Sequence, residues 1–173
     1  MRRLGVVLLG FGLIGCGSTA REQIAVVGRN ADAAMGEFGE CRASLHANPA
    51  YADLVARTAT RADAPDSGRY RDRSVVHPAQ RQAAVAFFEE TERCRRLVPA
   101  RMGHNVPVMW RLHDEAFAAY RPVWTGLADG RMTWGQANRH QSHILANYQY
   151  RAAFELNREI ARLDAAAREE EGY

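Results

Sequence analysis

The sequence predicts an all-α fold: a bundle of about four main helices plus one short helix, with one disulfide between helices. Three observations predict it. Apolar residues recur at steps of three and four along most of the chain after residue 20, which is the spacing of one helix face. Prolines and capping residues mark the ends of these periodic segments. Two cysteines, Cys41 and Cys94, lie on the apolar sides of two different segments.

The first predicted helix ends before Pro49, because proline cannot continue a helix. Its apolar face is formed by Ile24, Val27, Ala31, Ala34, Phe38, Cys41 and Leu45. Asn48 and Pro49 fit the cap and first turn of the short helix, whose apolar residues are Tyr51, Leu54 and Val55. Residues 61–77 contain proline, glycine and many charges, so they are predicted to form a long surface loop.

Three further helices complete the predicted bundle. One begins at Pro78 and is closed by Pro99, and Cys94 lies on its apolar face. The next is capped by Asn105 and carries an apolar seam at alternating steps of three and four, a pattern typical of helical bundles. The seam comprises Trp110, His113, Phe117, Tyr120, Trp124 and Leu127. The last runs from about Trp134 towards Arg168, after a Thr133–Gln136 capping box.

The first residues of the chain follow the order that is typical of a secretory signal: positive charge, an apolar run and then small residues. Arg2 and Arg3 are followed by the apolar run from Leu4 to Ile14 and then by small residues. The run is too short to span a membrane, which needs about 20 apolar residues. It also lacks the polar face that a surface helix would turn towards water. We therefore expect an exported protein.

The segment Leu13-Ile14-Gly15-Cys16 resembles the lipobox of bacterial lipoprotein precursors. The resemblance covers only residues 1–20. It implies cleavage after Gly15, lipid attachment to Cys16 and anchoring in a membrane. Gly17 stands where lipoproteins kept at the inner membrane often carry aspartate, so the resemblance implies the outer membrane, with the protein facing the periplasm. The expected division is a cleaved signal peptide (1–15), a lipidated cysteine with a short tether (16–20) and one helical domain (21–170).

The charge balance gives no support for nucleic acid as a partner, and the export signal argues against it. The whole chain of 173 residues has a formal charge of +3 and a pI near 9.0, and all its basic residues are arginine. Without residues 1–15, however, the remaining 158 residues contain 21 basic and 20 acidic residues. An exported protein with so small a net charge is not expected to bind nucleic acid. The remaining length is enough for one domain with a substantial core.

The three cysteines divide between the anchor and a disulfide. With Cys16 assigned to the lipid, Cys41 and Cys94 remain as an even pair in a compartment where disulfides persist. A disulfide that closes the loop between Cys41 and Cys94 stabilises a fold by about 4 kcal/mol in the loop-entropy model. The alternative is two separate buried thiols.

Histidines provide the weak candidates for a metal site. His140 and His143 are three residues apart, so they share a helix face and can reach one ion. His113 on the preceding helix is the nearest candidate for a third ligand. A solvated pair of histidines is the plainer interpretation, and no metal or other cofactor is predicted. The aromatic seam is likewise interpreted as core, with a pocket for an apolar ligand as the alternative.

No catalytic residues are predicted. Ser142 and His143 are adjacent, and adjacent residues on a helix point about 100° apart, which does not suit a nucleophile and its base. The consecutive carboxylates Glu89-Glu90 and Asp114-Glu115 are interpreted as solvated. The sequence thus favours a non-catalytic, lipid-anchored protein that binds an envelope protein partner or maintains the envelope. A metal-binding or ligand-binding bundle and a cryptic enzyme are the alternatives.

Overall fold

A computed structural model describes residues 19–59 and 67–171 of the chain. The predicted signal peptide and Cys16 lie outside these residues. The described part is helical and contains no β-strand, which confirms the predicted fold class. Its helices are α1 (Ala20–Ala47), α2 (Ala52–Arg57), α3 (Gly68–Arg71), α4 (Arg81–Arg95), α5 (Leu97–Met102), α6 (Val108–Ala128) and α7 (Trp134–Glu171).

The four long helices α1, α4, α6 and α7 form the bundle, and two of them begin with capping boxes. At α7 the amide of Gln136 donates to the hydroxyl of Thr133, and the amide of Thr133 donates to the side chain of Gln136, as predicted. At α1 the pair is Thr19 and Glu22. Each box satisfies amides that the first turn of a helix would otherwise leave unpaired.

The interior consists of two apolar clusters placed one after the other along the bundle. The first core lies at the end of the bundle where α7 begins; its buried residues include Leu54, Val76, Phe87, Trp124, Leu127 and Trp134. The second core lies towards the end where α1 begins; its buried residues are Val27, Met102, Val106, Met109, Leu112 and Leu163. The long helices α1, α6 and α7 contribute to both clusters, which joins them into one body.

The predicted disulfide is present between α1 and α4. Cys41 and Cys94 are bonded, their Cα atoms are 5.5 Å apart, and the bond closes a sequence separation of 53 residues. Cys94 is buried, with only 1% of its surface exposed. The crosslink therefore ties two main helices of the bundle together.

Several helical elements differ from the prediction, and prolines account for two of the differences described here. The helix predicted to end at Pro99 breaks earlier, at Arg96, and Pro99 occupies the first turn of α5, where a missing amide costs nothing. Pro107, not Asn105, is the cap of α6. The predicted loop of residues 61–77 contains the short helix α3 in its described part, because Tyr70 is buried and holds that turn against the bundle.

Candidate functional site

The three candidate metal ligands occupy different environments. His113 is buried in α6, with 3% of its surface exposed. His140 and His143 are both exposed on α7. Among residues 19–59 and 67–171, no three His, Cys, Asp or Glu side chains are grouped closely enough to hold a metal ion. Within a single chain, His113 therefore does not complete a site with the other two.

His113 faces the interior beside two arginines. Burial lowers its pKa below the ordinary value, Asp114 acts in the opposite direction, and Arg96 and Arg95 lower it further. Its ring packs edge-on against Trp110, with ring centroids 6.2 Å apart. Its Nε2 atom is buried and has no hydrogen-bond partner in the described part of the chain. These surroundings favour the neutral imidazole.

A buried ion pair that the sequence analysis missed lies between the two cores. Glu92 of α4 has 3% of its surface exposed and pairs with Arg95 one turn later. The Arg95 guanidinium lies over the ring of Tyr120, 3.8 Å from the centroid, and the Tyr120 hydroxyl donates to the carbonyl of Gln141. Besides burial, Arg95 and Glu92 influence the pKa of Tyr120, and Arg95, Tyr120 and Glu92 influence the pKa of Tyr148 of α7. We refer to these four residues as the polar layer.

The polar layer is incompletely satisfied. Burial raises the pKa of Glu92 above its ordinary value, although Arg95 and Arg96 act in the opposite direction. The second carboxylate oxygen of Glu92, Oε2, has no hydrogen-bond partner among the residues described. Burial also raises the pKa values of Tyr120 and Tyr148. A signal for this layer was available, since Glu92 follows Phe88 by four residues and therefore shares its partly buried face.

The consecutive carboxylates are exposed or ion-paired rather than joined in an acid-base pair. Glu90 pairs with Arg93, and Glu115 pairs with both Arg111 and Arg151. The arginines hold the pKa of Glu115 below its ordinary value. An ionised carboxylate between two guanidinium groups is poorly suited to general-acid chemistry. Ser142 and His143 are both exposed on α7.

An open groove of about 360 Å³ lies between α6 and α7. Apolar side chains from both helices line it, and Tyr148 of the polar layer is one of its lining residues. Its lining residues are Leu112, Glu115, Ala116, Ala119, His143, Ile144, Asn147, Tyr148 and Arg151. The aromatic seam predicted in the sequence does not line this groove. Tyr120 and Trp124 are buried in the first core, whereas Trp110 is 41% exposed.

Another buried polar residue, Asn138, ties three segments together where α7 begins. Its Nδ2 atom donates to the carbonyls of Arg57 and Arg69, each at 2.9 Å, and its Oδ1 accepts from the amide of Ala59 at 3.0 Å. The amides of Trp134 and Gly135 donate to the carbonyls of Ser74 and Asp72. We refer to Trp134, Gly135 and Asn138 with these carbonyls as the clamp.

Gly135 is required for this close approach. A Cβ atom there would lie 2.6 Å from the carbonyl oxygen of Tyr70, a distance that real Cβ contacts essentially never show. The helix α7 therefore packs directly against the backbone of residues 70–72. This contact explains the glycine in the TWGQAN segment, and the spacing of Trp134 and Asn138 explains why both side chains face inward.

The clamp fixes residues 70–76, which run from the last turn of α3 into the extended segment that follows it. Tyr70 and Val76 are buried, with 8% and 1% of their surfaces exposed, whereas Val75 is 48% exposed. Arg71 and Arg73 also point to solvent. The segment therefore presents two arginines and an apolar side chain on a backbone that is held in place.

Comparison of the chain with protein-family models, with curated proteins and with solved structures found no match. Within residues 19–59 and 67–171, no helix has both the length and the apolar character needed to cross a membrane. The lipid attachment predicted at Cys16 falls outside the described residues.

Proposed function

We propose that this chain is a lipid-anchored, periplasm-facing protein of the outer membrane that binds an envelope protein partner and has no catalytic role. The observation that carries the proposal is a difference between the two ends of the bundle: the chain enters from the lipobox at one end, and the exposed arginines lie at the other. The amide of Ala20 at the start of α1 lies 3.4 Å from a carboxylate oxygen of Glu170 near the end of α7. The lipobox cysteine precedes Thr19 by three residues, a reach of about 10 Å.

The clamp and the extended segment lie at the other end. α1 contains 28 residues, and so spans about 42 Å from the near end to the far end. An anchored bundle thus holds Arg71, Arg73 and Val75 away from its own membrane. Guanidinium groups on a fixed backbone suit carboxylates, because arginine binds them with two parallel hydrogen bonds. We assign the partner surface to this end and expect it to be acidic.

The disulfide supports the proposed compartment. Disulfides persist in oxidising environments and are rare in the cytosol. Cys41 and Cys94 join two main helices within the bundle. A bond in this position fits a protein that folds after export.

The anchor is tested by mass spectrometry of the native protein. We expect a first residue of Cys16 carrying diacylglycerol, and loss of both the lipid and the membrane fraction in the Cys16→Ala variant. A native protein that retains Met1 or carries no fatty acid contradicts the proposal.

The partner surface is tested by crosslinking in intact cells followed by pull-down. We expect Arg71→Glu with Arg73→Glu to abolish a crosslinked product that the wild type gives, because charge reversal repels an acidic surface. Arg29→Glu, an exposed arginine of α1, is the matched control and should keep the product. Cys16→Ala should lose it, since the tether holds the bundle beside its partner. An unchanged product from the double variant would overturn the assignment of this end.

A further inference from the structure

The outward face of α7 carries a seam without charged residues. Seven exposed residues follow one another at steps of three and four, the spacing of a helix-packing seam. They are His140, His143, Asn147, Tyr150, Phe154, Asn157 and Ala161. We refer to them as the outer seam.

The outer seam differs from an ordinary solvated face. Tyr150 is 74% exposed and Phe154 is 57% exposed, one turn apart. Between residues 140 and 157 the only charged residues of α7 are Arg151 and Glu155, and both lie beside the seam and are ion-paired. The exposed face of a bundle helix normally carries charged residues. This face instead lacks charged residues and carries two exposed aromatic side chains.

His140 and His143 stand at the first two positions of the outer seam. Two histidines three residues apart provide two imidazole ligands on one side of a helix. A closed zinc site needs four ligands in a tetrahedral arrangement, and imidazole nitrogen is a ligand that zinc prefers. One chain therefore supplies half a site, and a second copy of the same seam supplies the other half.

We propose that two copies of this chain pack in parallel along the outer seam and share one zinc ion, held by His140 and His143 of each copy. The inference goes beyond the proposed function and does not depend on the lipid anchor.

The flanks of the seam favour a second copy in parallel orientation. Arg151 and Arg158 lie seven residues apart on one flank, and Ala146 and Ala153 lie on the other. In an antiparallel pair the same flank of the two copies would come into contact, which would bring their arginines together. In a parallel pair each flank meets the opposite one, so the arginines pack beside alanines. Parallel packing also brings like positions together, which places the four histidines in adjacent layers.

The two asparagines of the seam fit the same arrangement. Asn147 and Asn157 would each meet its equivalent in the second copy, and a buried asparagine pair fixes the register of two helices at some cost in stability. Tyr150 and Phe154 lie between them and supply the apolar contact.

The inference is tested by measuring the molar mass of the purified chain by light scattering, first in EDTA and then with added zinc. We expect the mass to double with zinc and to return to that of one chain in excess EDTA. Elemental analysis should give about half a zinc ion per chain, as four imidazoles per ion require. A mass that zinc leaves unchanged, or one zinc ion per chain, overturns the proposal.

Histidine variants identify the ligands. His140→Ala and His143→Ala should each abolish the zinc-dependent increase in mass, because each removes two of the four ligands. His104→Ala, an exposed histidine between α5 and α6, is the matched control and should behave as the wild type. All three positions are exposed, so the helical circular dichroism signal should not change. Doubling that persists without His140 and His143 overturns the site.

Two further measurements test the geometry. With cobalt in place of zinc, a tetrahedral nitrogen site should give intense visible absorption, whereas the weak spectrum of a hydrated octahedral ion would overturn the four-histidine site. In a Cys16→Ala background, Ala161→Cys should be linked to itself by a short bismaleimide in the presence of zinc. Absence of that product overturns the parallel arrangement.

Discussion

Asn138 and Glu92 are almost equally buried, with 1% and 3% of their surfaces exposed, yet their polar atoms differ in how completely they are hydrogen-bonded. Asn138 makes three hydrogen bonds to backbone groups of three residues. Glu92 has one partner, Arg95, and its other oxygen has none within the described residues. A buried polar group that is fully paired holds a fold in one arrangement, whereas a partly paired charge reduces stability. The clamp therefore fixes the far end, and the polar layer is a weaker region between the two cores.

The largest expected effect is loss of the disulfide beside the polar layer. Replacing Cys41 and Cys94 together by serine should lower the free energy of unfolding by about 4 kcal/mol in the loop-entropy model, because the unfolded chain regains the freedom of the closed loop. The measurement is denaturant unfolding followed by circular dichroism. A reducing agent should destabilise the wild type and leave the double variant unchanged; an equal response of both would contradict the crosslink.

The next effect tests the clamp. Asn138→Ala should destabilise the protein by about 3 kcal/mol, because three buried backbone groups lose their partners at about 1 kcal/mol each. Asn147→Ala, an exposed asparagine of the same helix, should change stability by less than about 0.5 kcal/mol. Thermal unfolding of both variants in EDTA provides the comparison. Equal losses would mean that the hydrogen bonds of Asn138 do not hold the segment.

A smaller effect is expected in the polar layer. Arg95→Leu leaves the buried Glu92 carboxylate without its partner, which should cost about 2 kcal/mol at pH 7. The loss is smaller than at the clamp because Glu92 can take up a proton and become neutral. Stability should therefore recover partly at pH 5. A loss that is the same at both pH values would show that Glu92 is not the group affected.

The smallest expected effect is the pH dependence of stability that Glu92 itself causes. Its pKa is raised in the folded state, mainly by burial. Its contribution to stability is therefore complete below the unfolded pKa of about 4.3 and is lost as the pH rises through the folded pKa. Glu92→Gln should remove this decline, because glutamine does not titrate. Unfolding at several pH values between 4 and 7 measures the difference from the wild type, and parallel profiles would contradict it.

The sequence predicted the elements whose signals are local. The apolar spacing of α1, α6 and α7, the Thr133–Gln136 box and the inward positions of Cys41 and Cys94 depend on residues within a few turns, and all are confirmed. Trp110 was wrongly placed in the core; it lies near the start of α6, where it packs against His113 at the surface.

The polar layer and the clamp were not predicted, because both depend on contacts between distant segments. The spacing of Glu92 from Phe88 indicates a partly buried position, but four charged residues surround Cys94 in the sequence. Only the folded structure shows which of them form the buried ion pair. In the sequence, Asn138 resembles any polar residue near the start of a helix. Only the folded structure brings the carbonyls of Arg57 and Arg69 beside it. The outer seam has the same spacing as a buried face, and only the observed exposure separates the two.

The short distance between Ala20 and Glu170 has a practical consequence for protein engineering. Since α1 begins where α7 ends, a linker of a few residues could join them in a circular permutant, as is common when chain ends are adjacent. New ends could then be opened at the α6–α7 turn, where Gly130 adopts a φ of 70°. Such a permutant would carry any reporter beside the clamp, at the end of the bundle remote from the start of α1.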